Sequence, residues 1–355
     1  MEFFDTVVTD EARSNVLRCL DSGRLSEGKL VREFEERLQV LFGYADGVAV
    51  NSCTSALHLA LVLAGVGQGD EVILPAQTFI ATGLAVLYCG AKPVFVDIDR
   101  DTGNIDPERI PEKITAKTKA VISVAWGGNP PNLEELERVC ERYGLRLIQD
   151  NAQALGARPY SALTSYGDFS CFSFQAIKHL TTGDGGLLVC RHDRDTARAR
   201  KLRWFGIDRD NDKADLTGER LYDLKEVGYK YHMNDYSAAL GLGNLNGIKE
   251  RLRYVEEIAS YYDENIGEAC KRDGSANWLY TILVERRDDF IRAMRDRGVP
   301  VSVVHVGIQR NTVFSNKSEL PNQEYWDQHH VCLPIHAGLR PEDSWQVVKA
   351  VKEGW

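Results

Sequence analysis

Ser173-Phe174-Gln175-Ala176-Ile177-Lys178, followed by Thr181-Thr182-Gly183-Asp184-Gly185-Gly186, is the stretch on which the reading of this chain turns. One lysine stands between an apolar run, Phe169 to Phe174, and a glycine-rich turn. A second apolar run, Leu187 to Val189, follows. The pattern predicts a strand, a tight lysine-bearing connection and a return strand. A lysine held this way offers its amine for covalent chemistry, as in a Schiff-base lysine carrying pyridoxal phosphate. An ordinary surface lysine in a hairpin fits the same residues, so the flanking sequence has to decide.

Upstream, strands alternate with helices. Short strands are predicted at Gly47 to Val50, Glu71 to Pro75, Lys92 to Asp97, Ala120 to Val124 and Arg146 to Gln149, the last ending at Asp150. Helices are predicted over 7–20, Val31 to Phe42, Ala56 to Ala64, from Phe79 to Tyr88, and Asn132 to Tyr143. Such alternation indicates an α/β fold with a parallel sheet covered on both faces. Sites in such sheets form beyond the carboxyl ends of the strands. Thr54, Phe79, Asp150 and Lys178 all fall in or near segments of that kind.

Each of these residues has two readings. Asn51-Ser52-Cys53-Thr54-Ser55 opens a helix directly after a strand, where free amides and the helix dipole would cradle a phosphate. Plain N-capping by Thr54 or Ser55 explains the same residues. Asp150 could hold a protonated pyridine nitrogen or cap a helix. Gln153, in Asn151-Ala152-Gln153-Ala154-Leu155-Gly156, could reach a ring hydroxyl. Phe79 could stack on a ring or belong to the core. A pyridinium cofactor needs a lysine, a carboxylate and phosphate donors together, and Lys178 with Asp150 supplies the first two.

The chain has 355 residues, 43% hydrophobic and 27% charged, with a formal charge of −9. These values predict a soluble globular protein of one large and one smaller domain, not a nucleic-acid-binding one. No apolar run is long enough to span a bilayer, and the acidic N-terminus shows no signal pattern. Eight scattered cysteines without a C-x-x-C pair predict reduced thiols and a cytoplasmic location. Asp97 to Asp101 with Glu108 fails as a calcium loop because the glycine, Gly103, stands one place late. Gly65-Val66-Gly67-Gln68-Gly69 lacks the final glycine of a dinucleotide loop.

Past the lysine, the sequence predicts a helix over Thr196 to Trp204 and a mobile, charge-rich surface segment over 208–222. A long helical region then reaches about residue 268. Further on it predicts a strand over Trp278 to Val284, a helix over Asp288 to Arg297 and a strand over Val299 to Val306. Residues 310–328 read as irregular, and a last helix spans Pro341 to Glu353. The domain boundary is expected near 245, giving a large domain of residues 1–245 and a small C-terminal one of 246–355.

The segments quoted so far, with Asn51 to Leu61, Pro75 to Thr82, Gly90 to Asp97, Asp150 to Gly156 and Ser173 to Gly186 in that order, resemble the DegT/DnrJ/EryC1/StrS family of sugar aminotransferases. The resemblance covers most of residues 20–250. It implies an aspartate-aminotransferase-like (fold type I) architecture, with a mostly parallel central sheet and a smaller C-terminal α/β domain. It also implies pyridoxal 5'-phosphate as cofactor, with pyridoxamine phosphate as intermediate. The implied reaction carries an amino group from an amino acid, expected to be glutamate, to a keto group of a nucleotide-linked sugar, in amino-sugar and polysaccharide biosynthesis.

By the same resemblance, Lys178 carries the cofactor, Asp150 pairs with the pyridine nitrogen and Gln153 contacts the ring oxygen. Thr54, Ser55 and Ser173 bind the phosphate, and Phe79 stacks on the ring. His305 lies near the sugar pocket. Three positions depart from the family pattern: Cys53 replaces a glycine, and Lys230 and His232 replace asparagine and arginine. In relatives that asparagine reaches the cofactor phosphate of the neighbouring subunit, so a homodimer with shared sites is expected, and Lys230 is a candidate for the reach or for a contact to the nucleotide sugar. Two alternatives stand beside this reading: a non-catalytic sensor on the same fold, and a pyridoxamine-dependent sugar dehydratase. Dehydratase relatives carry histidine at the lysine position, which weighs against the latter.

Overall fold

The structure, a computed structural model, describes all residues except 210, 212–213, 220–221, 268–269, 271 and 316–317. Asp210, Asp212 and Lys213, part of the stretch expected to be mobile, therefore lie outside the described residues. In chain order the elements are α1 (Asp10–Asp21), α2 (Lys29–Phe42), β1 (Gly47–Val50), α3 (Cys53–Leu63), β2 (Glu71–Pro75), α4 (Ile80–Tyr88) and β3 (Lys92–Val96). They continue with β4 (Thr118–Val124), α5 (Leu133–Tyr143), β5 (Arg146–Asp150), α6 (Ala162–Ser165), β6 (Phe169–Ser173), β7 (Gly186–Cys190), α7 (Asp193–Leu202) and α8 (Asp235–Asn244). Beyond these come α9 (Ile248–Ile266), β8 (Tyr280–Leu283), α10 (Arg287–Asp296), α11 (Pro321–His329), β9 (His330–Leu333) and α12 (Pro341–Lys352).

The first seven strands form one sheet in the order β1-β7-β6-β5-β4-β2-β3. β7 pairs antiparallel with both β1 and β6, and the other pairs are parallel, so β7 alone runs against the rest. Its reversal follows from the hairpin-like return after Lys178. Alternate residues serve opposite faces. Ala49, Ile73, Val121 and Leu147 join the core under α2, α5 and α8. Val48, Val50, Val72, Leu74, Ile122 and Ile148 join the core under α3, α4 and α7. A sheet buried on both faces explains why these strands read as continuous apolar runs.

β1 matters to the site because it leads straight into α3. It is fixed by a buried ion cluster. Glu35 of α2 accepts the Ala49 amide at 2.7 Å, and Arg203 donates to the Ala49 carbonyl at 2.7 Å. Arg203 also pairs with Glu35 and with Glu27, both at 2.6 Å, and Arg200 reaches Glu35 at 2.8 Å. Truncating one partner of a buried pair leaves the other charge uncompensated. Arg203→Met is therefore expected to cost about 3 to 5 kcal/mol, read as a lowered urea midpoint. An unchanged midpoint would show that the cluster does not support β1.

α9 ties the two cores together. Its first residues, Ile248 and Leu252, pack in the sheet core. Val255, Ile258 and Tyr262 pack instead with β8, β9, α10 and α12. The expected boundary at 245 falls just before this helix.

Four expectations need correction. The predicted helical region to 268 is two helices, broken where Gly247 takes φ 71°. The strand expected over Val299 to Val306 is absent among the described residues; only a single bridge joins Ser302 to Cys332. Its extension stops where His305 turns left-handed, at φ 53°. Residues 310–328, expected to be irregular, contain α11, and β9 follows it. The polar run Pro321-Asn322-Gln323-Glu324 hides that helix, although Gln323 and Trp326 are fully buried. α1 begins at Asp10, where the Thr9 hydroxyl caps it, and not at residue 7.

Candidate active site

A cavity of about 390 Å³ opens where the parallel strands end. Val124 of β4, Asp150 of β5 and Ser173 of β6 line it with the entrance of α3 and the loop after β2. This is the position that a parallel sheet reserves for a ligand. Lys178 enters it from the β6–β7 connection, and Trp278, Val304 and His305 close it from the C-terminal part.

The entrance of α3 is capped by Ser52, whose side chain accepts the Ser55 amide at 3.1 Å. The capping residue is thus neither Thr54 nor Ser55. The Ser55 hydroxyl donates to Asn51 Oδ1 at 2.6 Å and lies 2.9 Å from Ser52 Oγ. Ser55 does not line the cavity, whereas Ser52, Cys53 and Thr54 do. The first amides of a helix have no acceptor within it, so those of Cys53 and Thr54 remain for a ligand. A Cβ at Gly186 would stand 2.6 Å from the Cys53 nitrogen, so only glycine lets β7 pass this close to the helix entrance.

Asp150 is buried and forms no ion pair among the described residues. Its Oδ2 accepts the Thr82 hydroxyl at 2.7 Å, and its Oδ1 accepts the Ala152 amide at 3.2 Å. Thr82 in turn lies 2.7 Å from the Thr78 hydroxyl. Burial raises the Asp150 carboxyl above the usual range, against the Thr82 and Ala152 hydrogen bonds and the field of Lys178. Burial pushes the Lys178 amine down to about 8, against the pull of Cys53 and Asp150.

Gln153 Oε1 accepts the Gly127 amide at 2.6 Å, which leaves its Nε2 donor for the cavity. Ser173 Oγ accepts the Gln175 amide at 3.3 Å, which leaves its proton to donate. Phe79 is 54% exposed, and its ring centroid lies 5.1 Å from that of His305. Gln77 donates to the His305 carbonyl at 2.9 Å and accepts from Gln323 at 2.6 Å, so buried amides hold the left-handed turn. Burial pushes His305 down to about 4, helped by the positive charge of Lys178, so it is neutral near pH 7.

Lys230 does not line the cavity of its own chain. It is exposed, with its ammonium 5.1 Å from the Trp204 ring centroid and 5.6 Å from that of Phe205. Sequence reasoning missed Thr82 and Trp278. Thr82 sits one helical turn from Phe79, a signal that was available. Nothing local marks Trp278.

A lysine on the connection into a reversed strand, facing a buried carboxylate where a parallel strand ends, is the frame of fold type I pyridoxal phosphate enzymes. The model of the DegT/DnrJ/EryC1/StrS aminotransferase family matches residues 7–352. The chain belongs to this family of pyridoxal phosphate-dependent enzymes and is a transaminase. It is 32% identical to the GDP-perosamine synthase of Caulobacter vibrioides, over 96% of this chain and 94% of that protein. It is also 32% identical to the spore coat polysaccharide biosynthesis protein SpsC of Bacillus subtilis, over 98% and 95%. The crystal structure of the sugar aminotransferase CalS13 from Micromonospora echinospora superposes with a TM-score of 0.93, at 33% identity and full coverage of both chains.

Proposed function

We propose that this enzyme transfers an amino group from an amino acid, glutamate as the expected donor, to a keto group of a nucleotide-linked deoxysugar. The observation that carries this reading is the pair at the heart of the cavity. Asp150 is a buried carboxylate without an ion pair among the described residues, and Lys178 is an amine that burial brings near neutrality. The donor set fits pyridoxal phosphate: a carboxylate for a ring nitrogen, an amine for an aldehyde, and amides and hydroxyls for a phosphate. The relative named GDP-perosamine synthase supports a nucleotide-linked substrate.

When bound, the cofactor supplies an aldehyde carbon and a ring that accepts the electrons released at the donor's α-carbon. The protein does the rest. Cys53 and Thr54 amides, with the Thr54 and Ser173 hydroxyls, bind the phosphate; the part proposed for Ser55 is to hold this turn through Asn51 and Ser52. Asp150 keeps the ring nitrogen protonated, and Thr82 and Ala152 hold its carboxylate in line. Gln153, through its Nε2 donor, and Phe79, through its ring, would help to hold the cofactor ring. The Lys178 amine would take the proton from the donor's α-carbon and later return one to the sugar carbon. His305, neutral, orients the sugar.

The active enzyme is a homodimer in which Lys230 reaches the partner's phosphate as a point charge. Support comes from the aromatic surface that carries it: Lys230 lies 5.6 Å from the ring of Phe205, which is 40% exposed. Residues 1–245 form the cofactor-binding unit. All eight cysteines are free, which fits a reducing, cytoplasmic setting. No helix of the described residues is long and apolar enough to cross a membrane.

Incubating the enzyme with pyridoxal phosphate, glutamate and a panel of 3-keto and 4-keto nucleotide sugars should give one product carrying an added amine by mass spectrometry. No amination of any panel member, with any amino donor, would overturn the reading. Sedimentation as a monomer at assay concentration would remove the shared site alone.

A further inference from the structure

Trp278 comes from the segment before β8, yet it reaches the lysine. Its indole is buried, and Nε1 donates to the carbonyl of Ile177 at 3.0 Å. The Lys178 Nζ lies 3.5 Å from its ring centroid. Phe4, from the first residues of the chain, stacks on the indole at 5.2 Å with 21° between planes. The segment is tied down on both sides of the indole. Leu279 donates to Gly127 at 3.0 Å, and the preceding Asn277 takes φ 53° while its side chain accepts from Arg272 at 3.0 Å.

We infer that Trp278 is a positioning residue for Lys178: its indole face holds the unbonded amine on the cavity wall, and Phe4 holds the indole. This rests on the reading of Lys178 as the reactive lysine. A four-carbon stem leaves a released amine many rotamers, whereas proton transfer needs one. An aromatic face attracts the ammonium through its quadrupole, and it does so without a counter-charge that would compete for the proton. The chain thereby couples its N-terminus, the segment before β8 and the lysine connection at one ring.

The other charged and titratable groups facing Lys178 are Asp150 from β5, Cys53 from α3, and His179 and His305. Among the described residues none of these four shares a hydrogen bond or ring contact with the indole, so changing Trp278 isolates one influence. The test is competitive labelling of the full chain before cofactor is added, with an amine-reactive reagent, followed by peptide mass spectrometry at Lys178. Wild-type labelling should rise with a midpoint at about 8. Trp278→Phe and Trp278→Met leave similar volumes, so water entry is matched and only the ring differs. The Met variant should titrate about half a pH unit or more below the Phe variant, because the ammonium has lost an aromatic face.

In the loaded enzyme the Met variant should lose about tenfold in kcat with KM for the sugar unchanged, and Phe should restore most of it. Equal midpoints for the two variants would overturn the inference. Trp278→Tyr and Trp278→Leu repeat the comparison if either first variant fails to fold. Failure of the underlying reading looks different: Lys178→Ala would then keep its turnover whatever Trp278 does.

Discussion

Lys178→Ala is expected to lower transaminase turnover by about 10⁴-fold while leaving the protein folded, since general acid–base groups contribute up to about that much. The variant loses both the amine that holds the cofactor and the base that moves the α-proton. Stability should move the other way. The folded amine is pushed down to about 8 from the ordinary value of 10.5. A depressed value means that the stability it contributes is present above the unfolded pKa and is lost as pH falls through about 8. Near pH 7 the buried ammonium therefore destabilises the chain, by at most about 3 kcal/mol from the size of the shift. Denaturant midpoints at neutral and at high pH check this: the variant should gain on the wild type at neutral pH and not above pH 10.5. Turnover within tenfold of the wild type would end the proposal that Lys178 is the reactive lysine.

Asp150→Asn should reduce turnover by about 10² to 10³-fold, the range for removing one electrostatic partner of a reacting group. Asparagine keeps the shape and one accepting oxygen for Thr82, so the loss reports the charge together with the weaker Ala152 amide contact at 3.2 Å, and not packing. The sign of the stability effect again follows from the shift. The Asp150 carboxyl is raised by burial, so its contribution is present at low pH and is lost as pH rises through the folded value. At neutral pH the chain without cofactor should then be stabilised by the substitution, and cofactor should stabilise the variant less than it does the wild type. Thermal melts with and without pyridoxal phosphate separate these effects. A variant with wild-type turnover would show that no ring nitrogen depends on Asp150.

The site was readable in the sequence to the extent that its parts lie at strand ends. Asp150, Ser173 and the α3 entrance each follow an apolar run directly, so their place follows from topology. Ser55 shows the limit. The hydroxyl residues Ser52, Thr54 and Ser55 look alike in sequence, but the helix turns Ser55 inward to Asn51 and leaves Thr54 on the cavity. The C-terminal part was read less well because its signals are mixed. Val299 and Val301 are spaced like one face of a strand and are buried, yet the spacing breaks at the buried Val304 and the left-handed His305 ends the run before it pairs.

What the sequence determined by itself is the succession of the seven strands of the large sheet, because burial on both faces writes them as apolar runs. It also marked the two groups proposed here as reactive, Lys178 and Asp150, because both stand where strands of a parallel sheet end. The tertiary structure decided which neighbours tune them. Thr82 meets Asp150 across 68 positions and Trp278 meets Ile177 across 101. Such contacts depend on how helices and a second core pack over the sheet, and local periodicity carries no record of that packing.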